Sequence, residues 1–412
     1  MPSFSSSLSG LDSESQALSV ISNNLANLNT VGYKAATPEF QDLFYQQIGS
    51  GGDGNPIQVG VGAKVGSIPA TFTQGSIEST GVPTDVAIQG NGFFVLDNNG
   101  LRSYTRAGDF SVGSSGQLLT SDGSAVLGYP SVNGTISPSQ TLAPLVISSG
   151  QLSPPQATAN VSIGLNLDAG AAVGGTFSTP VTVYDSLGGT HVLTFNFTKT
   201  AANTWSYAID IPAADVGTTG NPVAVGSGTL TFNGNGQLTS PTGNVTGITI
   251  SGLADGASNL TFNWDLYDST ISPIVTQASS PSAASSTQQD GYSSGTLASF
   301  NIQGDGTIQG IFSNGQTLAL GQLALATFAN QQGLVRNGSN EFLASLSSGT
   351  ANIGSPDTGG RGALAGGSLE QSNVDIATEF AQLILAERGY QANSRVVTTI
   401  DQVIQDAINM SQ

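Results

Sequence analysis

Residues 4–33 read FSSSLSGLDSESQALSVISNNLANLNTVGY, and this stretch decides how the rest of the chain is interpreted. Its Leu and Ile residues recur at spacings of three and four, which places them on one side of an α-helix. Asn29 and Gly32 supply a stop signal, because a left-handed residue closes the last helical turn. About 25 residues are therefore predicted to be helical. The apolar stripe consists of Leu8, Leu11, Leu18, Ile21, Leu25 and Leu28.

A second long helical pattern lies at the other end of the chain, in residues 374–410. Ser372, followed three residues later by Asp375, is similar to a capping box at its start. Gly389 and the β-branched run 396–400 weaken this helix in isolation. Since both terminal segments carry more acids than bases, we predict that they pair through an apolar coiled-coil seam. The predicted seam on this side is Ile376, Phe380, Leu383, Tyr390, Val397, Ile400 and Ile404.

The composition excludes several classes of partner. Lys plus Arg number 9 against 27 Asp plus Glu, a formal net charge of −18. Such a surface repels phosphate backbones and anionic lipids, so we expect neither nucleic-acid binding nor membrane insertion. Residues 1–30 contain no basic segment followed by an apolar core, and no cleavable signal peptide is predicted. The chain has no Cys, which excludes a disulfide framework.

The middle of the chain is predicted to be β-structure, because short alternating runs are separated by Asn-Gly and Asp-Gly turns. Stretches 131–155 and 277–289, rich in Ser, Pro, Ala and Gln, are predicted to be linkers. The predicted fold is mainly β with terminal α-helices, its discontinuous, nested β domains lying outside a coiled coil. The predicted domains are a terminal helical coiled coil (1–33 and 371–412), a connector (34–81 and 356–370), a first β domain (82–145 and 290–355) and an inserted outer β domain (146–289).

No pattern in the sequence indicates a catalytic centre. His191 is the single His and lacks Cys or further His partners for a zinc site or a triad, so a structural role is expected. Asp265 and Asp268 could suggest a glycosidase, but two acids at this spacing more often face solvent. Residues 51–55 faintly resemble a calcium-binding β-roll repeat, and a loop is favoured. We therefore predict no enzyme activity, no cofactor and no metal.

The two chain ends carry motifs that identify a family. Residues 21–27, ISNNLAN, and 30–34, TVGYK, resemble the signature of bacterial flagellar rod, hook and hook-junction proteins. Three further stretches are most similar to the hook members of that family: 85–88 with 92–94, 182–188, and 362–364 with 369–375. The matching motif residues at the chain ends are Asn23, Asn24, Leu25, Ala26, Asn27, Thr30, Gly32 and Tyr33, and Ser372, Asn373, Val374 and Asp375.

This resemblance implies a structural subunit that polymerises in many copies into the flagellar hook, the curved flexible tube that transmits torque from motor and rod to filament. It implies the distal rod, the hook cap and the hook-filament junction proteins as partners. It also implies export through the flagellar type III apparatus and an extracellular place in the flagellum. Alternatives are a hook-filament junction or distal rod protein and, from a different class, a secreted β-rich adhesin or glycan-binding enzyme.

Overall fold

A computed structural model describes residues 2–50, 55–98, 100–132, 134–137, 141–148 and 150–410. The chain divides into two compact units. The terminal unit comprises Met1–Ser148, Ser299–Gly310 and Leu318–Gln412, and the middle unit comprises Ser149–Ala298 and Ile311–Thr317. The finer division into coiled coil, connector and two β domains stays a prediction. Residues 51–54 of the suggested β-roll repeat lie outside the described residues.

The described residues are mainly strand, with one long helix near each end of the chain, which confirms the predicted fold class. The helices are α1 (Pro2–Ala26) and α2 (Ile376–Met410). The strands β1 to β33, in chain order, are Glu39–Asp42, Tyr45–Ser50, Pro56–Gly60, Ala63–Ser67, Ile77–Ser79, Val86–Gln89, Phe93–Asn98, Leu101–Thr105, Ser111–Val112, Leu118–Leu119, Ala125–Val132, Thr135–Ile136, Ala143–Pro144, Leu152–Ser153, Asn160–Asp168, Thr176–Tyr184, Thr190–Ala201, Thr204–Ile211, Val223–Phe232, Leu238–Ser240, Val245–Ile250, Leu260–Asp265, Val275–Ala278, Ala283–Gln289, Gly295–Ile302, Thr307–Phe312, Thr317–Leu323, Leu325–Thr327, Val335–Gly338, Glu341–Leu343, Asn352–Gly354, Ala363–Gly366 and Ser368–Glu370.

The start of α2 differs from the predicted capping box. Asp375 Oδ1 accepts a hydrogen bond from the Thr378 amide at 2.8 Å, so Asp375 itself caps the helix. Ser372 Oγ instead accepts from the Val374 amide at 3.3 Å, one turn before the helix begins. The predicted capping role of Ser372 was therefore wrong, and the helix begins at Ile376, two residues after the start of the predicted pattern.

The terminal unit contains an antiparallel sheet in which β7 lies between β8 and β11, and β8 pairs on its other side with β30. Phe93 and Tyr104 from this sheet form a core with Phe328 and Phe342. The Tyr104 and Phe328 rings meet edge to face at 4.8 Å, a favourable arrangement for the ring quadrupoles. The segment from 34 to 81, predicted to be an irregular connector, forms small antiparallel pairs, β1 with β4 and β2 with β3.

The middle unit consists of two sheets around a large apolar core. One sheet has the antiparallel order β16-β17-β18-β19-β20, and the other has the order β21-β22-β15-β23, with β24 also paired to β15. Side chains along β17 and β18 alternate between buried and exposed positions, as expected for strands with one face on a core. Trp264 lies at the centre, 5.2 Å from the Phe195 ring and 5.0 Å from the Tyr207 ring.

The prediction of a second linker at residues 277–289 is wrong. Ala283–Gln289 forms β24, which pairs antiparallel with β15 from Val161 to Asn166. Its side chains are almost all exposed, and backbone pairing together with a hydrogen bond from Ser285 Oγ to Gly164 O at 2.9 Å holds it in the sheet without apolar residues. A Ser- and Ala-rich composition therefore concealed a strand. Residues 133, 138–140 and 149 of the first predicted linker lie outside the described part of the chain.

Candidate assembly interface

Helices α1 and α2 pack against each other through a small apolar contact. Ala17, Ile21 and Ala386 are buried together, and the side chains that pack around them, partly buried, are Leu18, Leu25 and Leu383. Small residues allow the helices to approach closely: a Cβ on Gly389 would lie 2.6 Å from Glu14 Oε1. Of the thirteen predicted seam residues, Leu18, Ile21, Leu25 and Leu383 therefore meet within one chain.

The remaining seam residues are not buried within the chain. Leu11, Leu28, Val397 and Ile400 are partly exposed. Phe380 is 51% exposed, and the other strongly exposed members of the predicted seam are Leu8, Ile376, Tyr390 and Ile404. Further apolar side chains of α2 share this exposure: Ile384, Leu385, Val396, Val403, Ile408 and Met410. Helix α2 has 35 residues against 25 in α1, and every residue from 401 to 410 is exposed.

A buried asparagine joins the end of α1 to the start of α2. Asn24 is 1% exposed. Its amide nitrogen donates to Ala36 O at 2.8 Å and to Glu379 Oε1 at 3.0 Å. Its amide oxygen accepts from the Ala36 amide at 3.0 Å and from the Tyr33 hydroxyl at 3.3 Å. One side chain thus links the helix, the turn that follows it and the opposite terminus.

A second polar contact joins the two ends of the chain: Lys34 and Arg106 share the carboxylate of Glu370. Lys34 Nζ is 2.6 Å from Glu370 Oε1, and Arg106 Nη1 is 3.5 Å from Glu370 Oε2, with all three side chains buried. The Gly75 amide also donates to Glu370 Oε1, at 2.9 Å. Burial lowers the pKa of Lys34, and the hydrogen bond and charge of Glu370 oppose that shift. Because the ions are out of water, removing one partner leaves uncompensated buried charge.

The polar contacts of Asn24 and Glu370 together are called the polar junction here. Other motif residues belong to the same junction. Asn373 Oδ1 accepts from the Ala35 amide at 2.7 Å, and its amide group donates to Thr71 O at 2.7 Å. Gly32 has φ +66°, and a Cβ there would lie 2.6 Å from the Ala107 nitrogen, which explains the glycine.

The asparagines of the first motif bond locally. Asn23 donates to the Tyr33 hydroxyl at 3.1 Å. Asn27 donates to Asn23 O at 2.8 Å and accepts from Thr30 Oγ1 at 3.1 Å. These contacts shape the turn after α1, and the motif residue Val374 is buried.

Two carboxyl groups at the helix pair have shifted pKa values. Burial raises the pKa of Glu379, its hydrogen bond to Asn24 opposes the shift, and the charge of Asp375 adds to it. Its Oε2 atom has no hydrogen-bond partner among the described residues. Burial also raises the pKa of Glu14, which faces Gly389. Burial thus favours the protonated form of these two groups, whereas the hydrogen bond from the Thr378 amide lowers the pKa of the cap residue Asp375.

The sequence did not indicate Arg106 and Glu379 as site residues, whereas Lys34 and Glu370 lie within the motif stretches 30–34 and 369–375 without an assigned role. Lys34 and Glu370 are separated by 336 positions, and Asn24 and Glu379 by 355. Partners this far apart in the chain produce no local sequence pattern that would predict their contact. For Arg106 the available signal was composition, since the chain has only nine Lys and Arg residues.

The residues considered for catalysis have structural contacts. Asp268 Oδ1 accepts from the Thr270 and Ser272 amides at 2.8 Å, as in a self-capped turn. Asp265 Oδ1 accepts from Asn244 at 2.6 Å. His191 is buried, and both of its ring nitrogens contact carboxylates. Within the described residues, neither helix contains a segment long and apolar enough to cross a bilayer.

Models of flagellar families match four stretches of the chain. "Flagella basal body rod protein" matches residues 4–34, and "Flagellar hook protein FlgE/F/G D1 domain" matches 87–166. "Flagellar basal body protein FlaE D2 domain" matches 156–292, and "Flagellar basal body rod FlgEFG protein C-terminal" matches 365–410.

Full-length relatives agree with these matches. The flagellar hook protein FlgE of Salmonella typhimurium is 37% identical over 99% of this chain and 100% of its own length. That of Treponema pallidum is 35% identical over the whole of both chains. The crystal structure of the Helicobacter pylori flagellar hook protein FlgE2 covers 71% of this chain and 99% of its own, with a TM-score of 0.50 at 15% identity, a likeness of fold alone.

Proposed function

We propose a mode of assembly for this chain, which belongs to the flagellar hook protein family: the apolar faces that α1 and α2 leave uncovered dock against those of neighbouring copies. The chain is a structural subunit of the hook, the curved tube between rod and filament. Its terminal helices form the inner layer of the polymer, and its β domains lie outside them.

The observation that carries this proposal is the exposed apolar face of α2. The apolar residues of the β cores are buried, whereas α2 exposes four large apolar side chains, Phe380, Ile384, Leu385 and Ile404. Exposed apolar side chains along a 35-residue helix are unfavourable in water, and covering them with a neighbouring subunit lowers the free energy. Copies of the same helix pair supply a matching surface, because a helical polymer repeats one heterologous contact.

The polar junction has a different task in this scheme. Asn24, Glu370 and Asn373 bond the two chain ends to each other within one subunit. Each buried bond is directional, so the junction sets the angle at which the helix pair leaves the β structure. The apolar face then supplies the affinity between subunits, and the junction supplies the orientation.

We further propose the partners and route that the family implies. The helical ends of the tube meet the distal rod, the hook cap and the hook-filament junction proteins, and the subunit reaches them through the flagellar type III export apparatus. Blocking that apparatus in the source organism should retain the chain inside the cell. Its appearance in the medium at an unchanged level would refute the route.

Charge substitutions in the exposed face test the assembly proposal. Phe380→Asp and Ile404→Asp should abolish tubes seen by electron microscopy, because each places a carboxylate in the docking face. Leu346→Asp is the matched control, since Leu346 is a fully exposed apolar residue of the terminal unit that belongs to neither helix. Circular dichroism checks that all three variants fold, as we expect. Tubes of normal length from Phe380→Asp and Ile404→Asp would refute the docking face.

The competing functions have less support. A junction or distal rod role is not favoured, because the full-length relatives reported above are hook proteins. An adhesin or glycan-binding enzyme is likewise not favoured, since Asp265 and Asp268 serve local turns and strands.

A further inference from the structure

Ile271 lies in the turn between β22 and β23 of the middle unit, and its backbone is unusual for its side chain. Its φ is +62°, and the residue is 79% exposed. We propose that Ile271 is an anchor residue through which the middle unit contacts a second copy of this chain. This inference rests on the proposed function, because it adds a contact outside the helices to the docking of the helices.

The backbone of Ile271 occupies the left-handed region, which is unfavourable for a β-branched residue. The other non-glycine residues with positive φ in the described part of the chain are small and polar: Asn203, Ser339, Asn340 and Asp357. Asn and Asp tolerate this conformation because their short side chains bond to the nearby backbone. The local structure would therefore be more stable with Asn than with Ile at position 271.

The turn is built by hydrogen bonds of other groups, which hold Ile271 in this conformation. Asp268 Oδ1 accepts from the Thr270 and Ser272 amides at 2.8 Å and from the Thr270 hydroxyl at 2.7 Å. The Ile271 amide donates to Asp268 O at 3.0 Å, and the Asp268 amide donates to Ser272 O at 2.9 Å. The turn thus presents the Ile271 side chain in a fixed direction, at a cost in backbone free energy.

A single exposed apolar side chain is ordinary on a protein surface and by itself indicates nothing. At Ile271, exposure and backbone strain fall on the same residue. Covering the side chain removes apolar surface from water, and this gain offsets the unfavourable backbone. Since the turn is already ordered, little conformational entropy is lost on contact. Both features are therefore accounted for by a partner that covers Ile271.

The charge of the middle unit favours an uncharged contact between copies. The unit contains eight Asp and no Glu, with Lys199 as its single Lys or Arg. Lys199 Nζ donates to Ala169 O at 2.6 Å and lies over the Trp205 ring, so it is engaged within its own unit. Middle units of neighbouring copies therefore repel one another, and a contact is favoured where the surface is uncharged. Residues 269–274, STISPI, carry no charged side chain.

The partner is a second copy because a subunit of a helical polymer has copies of itself as its neighbours, in one repeated contact. The chain belongs to a family of such subunits. An uncharged, apolar anchor also suits a neighbour that carries the same negative charge, whereas a basic partner would instead be attracted to the exposed carboxylates.

Asparagine at position 271 separates the contact from folding. Ile271→Asn suits the left-handed backbone, so the urea midpoint of the monomer should equal or exceed that of the parent. The critical concentration for tubes, measured as the protein left in solution after sedimentation, should rise about 10-fold or more, as expected for the loss of one buried Ile contact. Val173→Asn is the matched control and should keep the parental value, since Val173 is 70% exposed in the same unit and its φ is not positive.

A unique thiol measures the contact directly, because the chain has no Cys. Ile271→Cys should react with iodoacetamide about 10-fold or more slowly in sedimented tubes than in dilute monomer, since a covered thiol is inaccessible to the reagent. Val173→Cys should react at the same rate in both.

The inference is overturned if Ile271→Asn polymerises at the parental concentration, if Val173→Asn raises the critical concentration equally, or if the thiol of Ile271→Cys reacts at one rate in monomer and tube. A lower urea midpoint for Ile271→Asn would also overturn it, because Ile271 would then serve folding. None of these results affects the helix docking, which fails separately if Phe380→Asp and Ile404→Asp form normal tubes.

Discussion

The side-chain amide of Asn24 donates to Glu379 Oε1 at 3.0 Å, so α1 and α2 are joined by a polar bond across 355 positions of sequence. The same amide oxygen accepts from the Ala36 backbone. A predicted apolar seam therefore contains a buried polar contact. Such contacts specify register, because a helix shifted along its partner leaves them unpaired.

Asn24→Ala should destabilise the junction by about 2 to 4 kcal/mol, because it leaves the Ala36 backbone groups and Glu379 without their partner. Hydrogen exchange at the Ala36 amide measures this locally, since that amide donates to Asn24 Oδ1. Asn27→Ala is the control, as its bonds stay within its own turn. Unchanged protection of Ala36 in Asn24→Ala would contradict the assigned role.

The helix pair should become more stable as the pH falls from 7. Burial raises the pKa of Glu379 above its ordinary value of 4.5. The folded state thus binds the proton more tightly than the unfolded state, and the stabilisation is complete below the unfolded pKa and lost as the pH rises through the folded pKa. Urea unfolding of dilute monomer, followed by helical circular dichroism at several pH values, measures the effect.

In Glu379→Gln this pH dependence should be reduced, because the amide is neutral throughout. Glu387→Gln on the same helix serves as control, since Glu387 is exposed and bonds to Gln391. An identical pH profile in Glu379→Gln and the parent would show that Glu379 is not the titrating group.

Glu370→Gln should cost about 3 to 5 kcal/mol of unfolding free energy, because Lys34 and Arg106 remain buried without a counter-charge. Urea unfolding at pH 7 gives the value. Glu78 is exposed on β5, the strand that pairs with the Glu370 strand β33. Glu78→Gln should change the unfolding free energy by less than about 0.5 kcal/mol. Equal midpoints for the two variants would argue against the charge cluster as a stabilising feature.

Leu383→Pro should stop polymerisation while the β cores stay folded. Proline removes one hydrogen bond of α2 and clashes with the preceding turn, at a cost of about 3 kcal/mol or more. Near-ultraviolet circular dichroism reports the packed aromatic core around Trp264, and electron microscopy reports tubes. Full-length tubes from this variant, or from Leu18→Pro, would refute helix-mediated assembly.

Polymer yield should rise with salt. At a net charge of −18 the subunits repel one another, and the Debye length falls from about 10 Å at 0.1 M salt to about 3 Å at 1 M. Light scattering over this range, with electron microscopy of the product, measures the yield. A steady decrease in yield would mean that attractive ion pairs hold the subunits together.

The sequence by itself determined the features that depend on neighbours in the chain. Leucine spacing was sufficient for α1, because side chains three and four positions apart share a helix face. Alternation and Asn-Gly or Asp-Gly turns were sufficient for the hairpins. The motifs at the two chain ends were sufficient to identify the family.

Tertiary structure alone decided the features that depend on distant residues. Ser and Ala in β24 carry no apolar pattern, since the strand is held by its backbone bonds to β15. Lys34 meets Glu370, and His191 meets Asp255, only because folding brings separate segments together. Local periodicity records which face of an element is buried, whereas long-range polar contacts depend on positions that no local pattern encodes.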